Sequence, residues 1–299
     1  MACNQIKPHC EDKQIVNKNV MKCKHCKSEN VVKKGFRKTQ HRGEIQRYIC
    51  RDCKKSFCKD EGFWRMRNSE KIITMSVDMY LSDMSSRKMR NQLQRHMETK
   101  TSHVSILNWV RKYVLKVANF VEKLKPALSG KYYMDETAID CSGRNDFFWV
   151  AVDWDTRFIP NIYYSLFSDV RHCTQFLTAI KHKNMPRYIQ TDSATYYDKA
   201  FRNVFGEEEL DHRINNVRET GKHNVRIETV FSKLKDRIKG FRGLKAFWSA
   251  PILLIGLIIQ HNFIEAHTTT GMRPCELAGI KLTLEEDRWL SLIKANAVS

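Results

Sequence analysis

The sequence predicts a mixed α/β protein in which an α/β core follows a cysteine-rich region and a helical region. Two cysteine pairs with metal-ligand spacing lie near the N-terminus, three helical stripes of apolar residues follow, and the remaining chain alternates strand-like and helix-like segments. These three observations predict domains at residues 1–66, 67–125 and 126–299.

The composition indicates a folded protein with a polyanionic partner. The 299 residues are 42% hydrophobic and 10% aromatic, and 52 Lys and Arg against 33 Asp and Glu give a formal charge of +19. Residues 1–125 contain 29 basic and 12 acidic residues, so their net charge of +17 is most of the excess. We expect this part of the chain to neutralise phosphates, although lysines on a solvated surface would give the same composition.

The sequence predicts neither a membrane span nor a secretory signal. The longest apolar run, residues 251–259, is shorter than the roughly 18 residues that cross a bilayer. The first residues have no apolar stretch behind their charges. We therefore expect a cytoplasmic protein with no membrane partner, whose ten cysteines are reduced thiols or metal ligands.

Four cysteines in two CxxC pairs predict a structural zinc site. Cys23 and Cys26 form the first pair, Cys50 and Cys53 the second, and 23 residues separate the pairs. Four thiolates suit tetrahedral Zn²⁺, and the short strand-like segments between them are typical of a zinc ribbon. Residues 1–66 would then be a zinc ribbon with a basic N-terminal arm. Redox dithiols or unconnected core cysteines are the alternatives.

The helical region, residues 69–123, contains no proline or glycine and has three apolar stripes. Polar breaks at residues 82–86 and 98–102 separate the stripes, and Ser86 and Ser102 are predicted N-caps. Three such helices resemble a helix-turn-helix unit whose third helix enters the major groove of DNA, although a linker or a dimerisation bundle would show the same stripes. The candidate DNA contacts on the third helix are Asn108, Arg111 and Lys112.

The last region predicts a sheet with acidic residues at its strand ends. From Lys131 the order is strand, strand, strand, helix, strand, helix, with a closing helix at Val225 to Lys239. Asp135 ends the first strand, Asp192 ends the fourth, and Glu228 lies on the closing helix. Clustered carboxylates repel one another unless cations lie between them, so the three acids predict a site for two Mg²⁺ or Mn²⁺ ions. Ordinary surface acids are the alternative.

The order of the motifs in this region resembles the DDE transposases, and within them the insertion-sequence-six family. The matching motifs are Met-Asp135-Glu-Thr, Trp149-Val-Ala-Val-Asp153, Thr-Asp192-Ser, Asn224-Val-Arg226-Ile-Glu228, His261-Asn-Phe-Ile and the segment Gly271 to Ile280. They span roughly Lys131 to Ile280, half the chain. The resemblance implies an RNase H-like core in which Asp135, Asp192 and Glu228 are the metal-binding catalytic triad.

The resemblance also implies further contacts and partners. Lys235, two helical turns beyond Glu228, is in the position where the family keeps a basic residue that contacts the transposon end, and Arg226 is a candidate phosphate contact. The family acts on double-stranded DNA, at terminal inverted repeats and at a target, as a homodimer or a larger synaptic complex in a prokaryotic cell. Val225 differs from the family, which commonly has a second Asn here.

The sequence therefore predicts a DNA transposase that uses two divalent metal ions for strand cleavage and strand transfer and one structural Zn²⁺. A zinc-ribbon DNA-binding regulator with an inactive core would share the first half of the chain. An RNase H-like nuclease that only hydrolyses DNA would share the second half.

Overall fold

A computed structural model describes residues 21–39, 43–59, 61–206, 210–214, 225–240, 244–268 and 270–298. The chain divides into two compact units, residues 1–60 and 61–299. This division differs from the predicted boundaries after residues 66 and 125, because the helical region shares a hydrophobic core with the last region. The predicted basic arm, residues 1–20, lies outside the described residues, and the three-domain division stays a prediction.

The first unit contains an antiparallel three-stranded sheet in the order β1-β2-β3. The strands are β1 (Val31–Thr39), β2 (Gly43–Cys50) and β3 (Ser56–Cys58). The register shifts between Lys33 and Phe36, where Gly35 has a φ of +65°. The sheet contains the strand-like segments that the sequence predicts between the two cysteine pairs.

Three helices begin the second unit: α1 (Glu70–Leu81), α2 (Ser86–Met97) and α3 (His103–Val121). Ser102 caps α3 as predicted, and its side chain accepts a hydrogen bond from the Ser105 N–H at 3.0 Å. The cap of α2 is Ser85 instead of the predicted Ser86, because Ser85 Oγ accepts from the Lys88 N–H.

The described residues 126–298 contain a five-stranded mixed sheet and the remaining helices. The sheet order is β6-β5-β4-β7-β8, antiparallel from β6 to β4 and parallel from β4 to β8. Its strands are β4 (Lys131–Cys141), β5 (Arg144–Asp153), β6 (Asn161–Ser165), β7 (Tyr188–Thr191) and β8 (Asp211–Ile214). The helices are α4 (Val170–Lys183), α5 (Tyr196–Phe205), α6 (Val225–Gly240), α7 (Ala250–Ile259), a π-helical segment (Gln260–Ile264), α8 (Pro274–Leu277) and α9 (Arg288–Val298).

Each face of this sheet has its own hydrophobic core. Alternate residues of β4 point to opposite faces, so Tyr132 and Met134 pack with α4 and α5, whereas Tyr133 packs with α6, α7 and the first three helices. Helix α3 is central to the second core, since it contacts α1, α2, α7 and α9. Gly256 on α7 allows this packing, because a Cβ there would lie 2.9 Å from side chains of both Leu81 and Val114.

No helix in the described part of the chain is long and apolar enough to cross a membrane.

Candidate active site and cysteine cluster

Asp135 and Asp192 lie just beyond the point where the pairing of β4 with β7 stops. The parallel strands β4 and β7 pair with Tyr133 opposite Gln190, and each aspartate is two residues beyond that pair. Side chains two residues apart on a strand point to the same face. Asp135 therefore points to the face that α6 covers. The sequence predicts that Asp135 ends its strand, and this is wrong, because β4 continues to Cys141 through its pairing with β5. Asp192 directly follows β7, as predicted.

The surroundings of Asp135 disfavour its negative charge. Burial raises its pKa to about 7, with further contributions from the negative charges of Glu136 and Asp192. A hydrogen bond of 2.9 Å from the Glu136 N–H to Asp135 Oδ1 and the positive charge of Lys235 act in the opposite direction. A divalent cation at this edge would compensate the repulsion between the two aspartates.

Helix α6 provides the third side of the site. Its buried face, which includes Ile227, Phe231 and Leu234, packs in the core that adjoins β4. Glu228 and Lys235 are exposed and seven residues apart, so they lie two turns apart on one side of the helix. The positive charge of Lys235 is the smallest of the influences on the pKa of Asp135, which it lowers.

The three predicted triad carboxylates are more widely spaced than the ligands of a single ion. A site for one ion needs ligand atoms that lie within about 4.8 Å of one another, and among the described residues the four cysteines meet this condition. Asp135, Asp192 and Glu228 do not meet it. Asp192 and Glu228 are exposed, and Asp192 Oδ1 accepts a hydrogen bond of 3.0 Å from the Ala194 N–H. Two ions about 3.5–4 Å apart need more room than one.

Glu136 lies beside Asp135 in the site, and the sequence patterns predict no role for it. Its carboxylate accepts hydrogen bonds from the Tyr197 hydroxyl at 2.7 Å, from the Ser168 hydroxyl at 3.0 Å and from the Tyr196 hydroxyl. Because it follows Asp135 on the strand, it points to the opposite face, toward α5. Its place beside Asp135 in the Asp-Glu-Thr motif was the signal that could have identified it.

The predicted DNA contacts on α3 differ in their surroundings. Asn108 is exposed. Arg111 donates a hydrogen bond of 3.0 Å from Nε to Ser249 Oγ, and Lys112 Nζ lies 5.4 Å from the centre of the Tyr113 ring. Both cationic side chains thus lie against the protein's own surface, and their role in DNA binding stays a prediction.

The structure describes only the backbone of Arg226, which lies in the first turn of α6, and Asn224 is outside the described residues.

The four predicted zinc ligands converge in the first unit. Cys23 Sγ lies 3.6 Å from Cys53 Sγ, and Cys26 Sγ lies 3.5 Å from Cys50 Sγ. A tetrahedral site with Zn–S bonds of about 2.3 Å requires sulfur separations of about 3.8 Å. The backbone N–H of Cys53 is the largest influence on Cys50, whose pKa is lowered to about 6. The distances and the donor set fit a Zn²⁺ ion.

Comparison with known proteins supports the same region as the catalytic part. Residues 129–267 match a family model described as a DDE domain. This segment includes Asp135, Asp192, Glu228 and Lys235. The protein is therefore an enzyme of the DDE type, and its chemistry is polynucleotidyl transfer. No curated protein matches the chain.

Several solved structures of retroviral integrases match at low similarity. The HTLV-2 integrase catalytic core domain in complex with magnesium in its trimeric form is 14% identical, with 52% of this chain and 99% of that chain covered and a TM-score of 0.38. The dimeric form of the same domain is 12% identical, with 52% of this chain and 100% of that chain covered and a TM-score of 0.40. A chain of the simian T-cell lymphotropic virus intasome in complex with PP2A regulatory subunit B56 gamma is 13% identical. The match covers 71% of this chain and 74% of that chain, with a TM-score of 0.39.

Proposed function

We propose that the protein is the DNA transposase of an insertion sequence of the insertion-sequence-six type. It binds terminal inverted repeats and catalyses metal-dependent strand cleavage and strand transfer. The observation that carries this proposal is the position of Asp135 and Asp192, each two residues beyond the last pair of β4 and β7, together with the influence of Asp192 and Lys235 on the pKa of Asp135. The sheet order β6-β5-β4-β7-β8 supports an RNase H-like core.

Asp135, Asp192 and Glu228 would hold two Mg²⁺ or Mn²⁺ ions. When bound, such ions activate the attacking oxygen and stabilise the leaving oxygen of a phosphodiester. The first reaction hydrolyses the phosphodiester at the transposon end and frees a 3′-hydroxyl. In the second, that hydroxyl attacks a target phosphodiester in line and expels the 3′-oxygen of the cut target strand.

The side chains around the triad position the DNA and the carboxylates. The ammonium of Lys235 lies close enough to Asp135 to lower its pKa, so it is placed to pair with a phosphate that approaches the same carboxylate. The three hydroxyls on Glu136 fix the strand that bears Asp135. Positioning and charge compensation then provide most of the rate enhancement. Arg226 is a further candidate phosphate contact.

The first half of the chain would recognise the transposon ends. Cys23, Cys26, Cys50 and Cys53 would hold a structural Zn²⁺ in a zinc ribbon. Helices α1 to α3 would form a helix-turn-helix unit, with Asn108 exposed near the start of α3. The net charge of +17 on residues 1–125 supports a double-stranded DNA partner.

We further propose a homodimer or larger synaptic complex in the cytoplasm of a prokaryotic cell, at the nucleoid. The family resemblance carries this part of the proposal. Its reason is physical: two transposon ends must be held together for coordinated joining to one target, and one active site acts on one end.

The test of the enzyme assignment is the Asp192→Asn variant, assayed with DNA that carries the element's own ends. We expect it to bind the ends like the wild type but to lose Mg²⁺-dependent cleavage and joining. Asp198→Asn, which changes an exposed acid on the neighbouring helix α5, is the matched control and should retain activity. Unchanged cleavage by Asp192→Asn would remove the assignment. Specific binding without cleavage by the wild type would instead favour the DNA-binding regulator.

A further inference from the structure

The turn before α7 exposes two adjacent aromatic side chains. Phe247 is 46% exposed and Trp248 is 65% exposed. Large apolar rings that remain open to water, side by side on a surface, are typical of a binding site. Neither the triad nor the cysteine cluster uses them.

An arginine lies against each of the two rings. The guanidinium carbon of Arg144 is 4.1 Å from the centre of the Phe247 ring, and that of Arg111 is 4.4 Å from the centre of the Trp248 ring. Arg144 also pairs with Asp146 at 2.6 Å, which anchors its guanidinium. Each ring therefore contacts a guanidinium and is also exposed to solvent.

The backbone beneath the rings is fixed by hydrogen bonds. The Ser142 N–H donates to the Leu244 carbonyl and the Ser142 hydroxyl donates to the Lys245 carbonyl, both at 2.8 Å. On the other side, the Ser249 N–H donates to the Ala246 carbonyl at 2.9 Å. A ligand that packs on these rings loses little affinity to ordering of the protein, because the turn is already ordered.

A cavity lined by both apolar and polar side chains adjoins the aromatic pair. Its volume is about 190 Å³, and Arg111 and Ser249, which contact or neighbour Trp248, help to line it. Its other polar lining residues are Tyr80, Ser85, Ser86 and Lys245. Two cations and several hydroxyls suit an anionic and hydroxylated group such as a nucleotide backbone.

We propose that Phe247 and Trp248 form a stacking platform for unpaired bases of a DNA strand bound by this protein. Aromatic faces beside basic residues are the combination that binds single-stranded nucleic acid, since every base has a face to stack and every link has a phosphate. In a duplex the base faces are covered by their neighbours, so the platform takes nucleotides that are unpaired at or beside the transposon end. The proposal rests on DNA as the substrate.

The basic surroundings distinguish DNA from a protein partner. Arg144 is already paired with Asp146, but an apolar protein surface would require Arg111 and Lys245 to be desolvated without an acidic partner, which is costly. The phosphates of a strand would compensate these charges. The arginines therefore favour a polyanion that also presents flat apolar rings.

The test measures binding without cleavage. The full-length protein, without added Mg²⁺, is titrated against a fluorescent duplex that ends in a short run of unpaired thymidines, and against the same duplex with a blunt end. We expect the wild type to bind the tailed DNA more tightly. Trp248→Ala should lose about 5- to 150-fold of that preference, the range that corresponds to about 1–3 kcal/mol per stacked base. Trp248→Phe, which retains a ring, should keep most of it.

The control variant is Trp64→Ala, which removes another exposed tryptophan of the second unit, 41% exposed, and should leave the preference unchanged. The proposal is overturned if the wild type does not distinguish the two DNAs or if Trp248→Ala retains the preference. It is also overturned if Trp248→Ala alters only the oligomeric state in sedimentation, which would identify a protein interface. Since no cleavage is measured, the outcome is independent of the Asp192→Asn test of the enzyme assignment.

Discussion

The hydroxyl of Tyr197 donates a hydrogen bond of 2.7 Å to Oε2 of Glu136, the residue that follows Asp135 on β4. Tyr197 is fully buried on α5, the helix that begins shortly after Asp192. The bond therefore connects the strand that bears Asp135 with the helix that follows Asp192. Loss of this connection would change the spacing of the two carboxylates without removing either.

The Tyr197→Phe variant tests this connection. Removal of the hydroxyl leaves one oxygen of the Glu136 carboxylate without its buried donor, and hydrogen bonds to charged groups contribute about 1.5–3 kcal/mol. We expect a loss of free energy of unfolding in that range, measured by chemical denaturation, together with slower strand cleavage. Tyr188→Phe is the control, because its hydroxyl donates to the neutral Gln190 side chain at 2.9 Å on the partly exposed β7. Equal losses in both variants would show that the contact with Glu136 has no special effect.

The sequence shows that each of the two aspartates follows a short apolar run, but β4 continues past Asp135 to Cys141, so only Asp192 lies at the end of its strand. Strand alternation and parallel pairing then determine which side chains meet at the sheet edge. The hydroxyls around Glu136 could not be predicted in the same way. Ser168 comes from the loop after β6, and Tyr196 and Tyr197 from α5, so no local pattern joins them.

Helix α3 shows a second limit of prediction from sequence. Its apolar stripe predicts a buried face, and the structure confirms one. The stripe does not show how many elements pack around the helix, and here α1, α2, α7 and α9 all contact it. As a result Arg111, on the flank of the stripe, bonds to Ser249 before α7. An arginine at a helix flank has the same pattern whether it contacts DNA or protein.

The cysteine cluster predicts that Cys50→Ser loses stoichiometric zinc and weakens binding to the transposon ends. A serine hydroxyl is a poor zinc ligand, and structural zinc sites supply much of the folding free energy of small domains. Zinc content by atomic absorption and end binding by gel shift are the measurements. Cys58→Ser is the control, since Cys58 lies on β3 outside the cluster of four. A Cys50→Ser protein with full zinc content would disprove the four-thiolate site.

We expect His261 to make the free energy of unfolding depend on pH. Its Nε2 donates a hydrogen bond of 3.0 Å to the Arg157 carbonyl oxygen, and burial lowers the pKa of its ring from the ordinary 6.5 to about 4. Between these values the unfolded chain binds more protons, so stability is complete above about pH 6.5 and falls as the pH drops toward 4.

The His261→Gln variant keeps a donor for the Arg157 carbonyl but cannot take up a proton. We expect its free energy of unfolding to depend less on pH between 6.5 and 4 than that of the wild type, by at most about 3 kcal/mol. The measurement is chemical denaturation at a series of pH values. His96→Gln, at an exposed position on α2, should leave the wild-type slope unchanged. A His261→Gln protein with the wild-type slope would show that His261 does not cause it.

We expect removal of the Lys235 charge to change the salt dependence of DNA binding. Lys235 is the proposed contact to the transposon end, and its positive charge lowers the pKa of Asp135. Each phosphate that a protein cation neutralises contributes about 0.9 to the slope of log affinity against log salt concentration. We expect Lys235→Gln to reduce that slope by about 0.9 and to slow cleavage, as measured with end DNA over a range of salt concentrations.

Lys239 on the same helix is the matched control for Lys235. It lies one turn further along α6, and its ammonium pairs with Asp236 at 3.6 Å on the solvent side. Because that charge is already compensated and lies farther along the helix from the two aspartates, Lys239→Gln should change the salt slope less. If the two variants lower the slope equally, Lys235 acts through the general positive field of the helix, and its assignment as the contact to the transposon end is wrong.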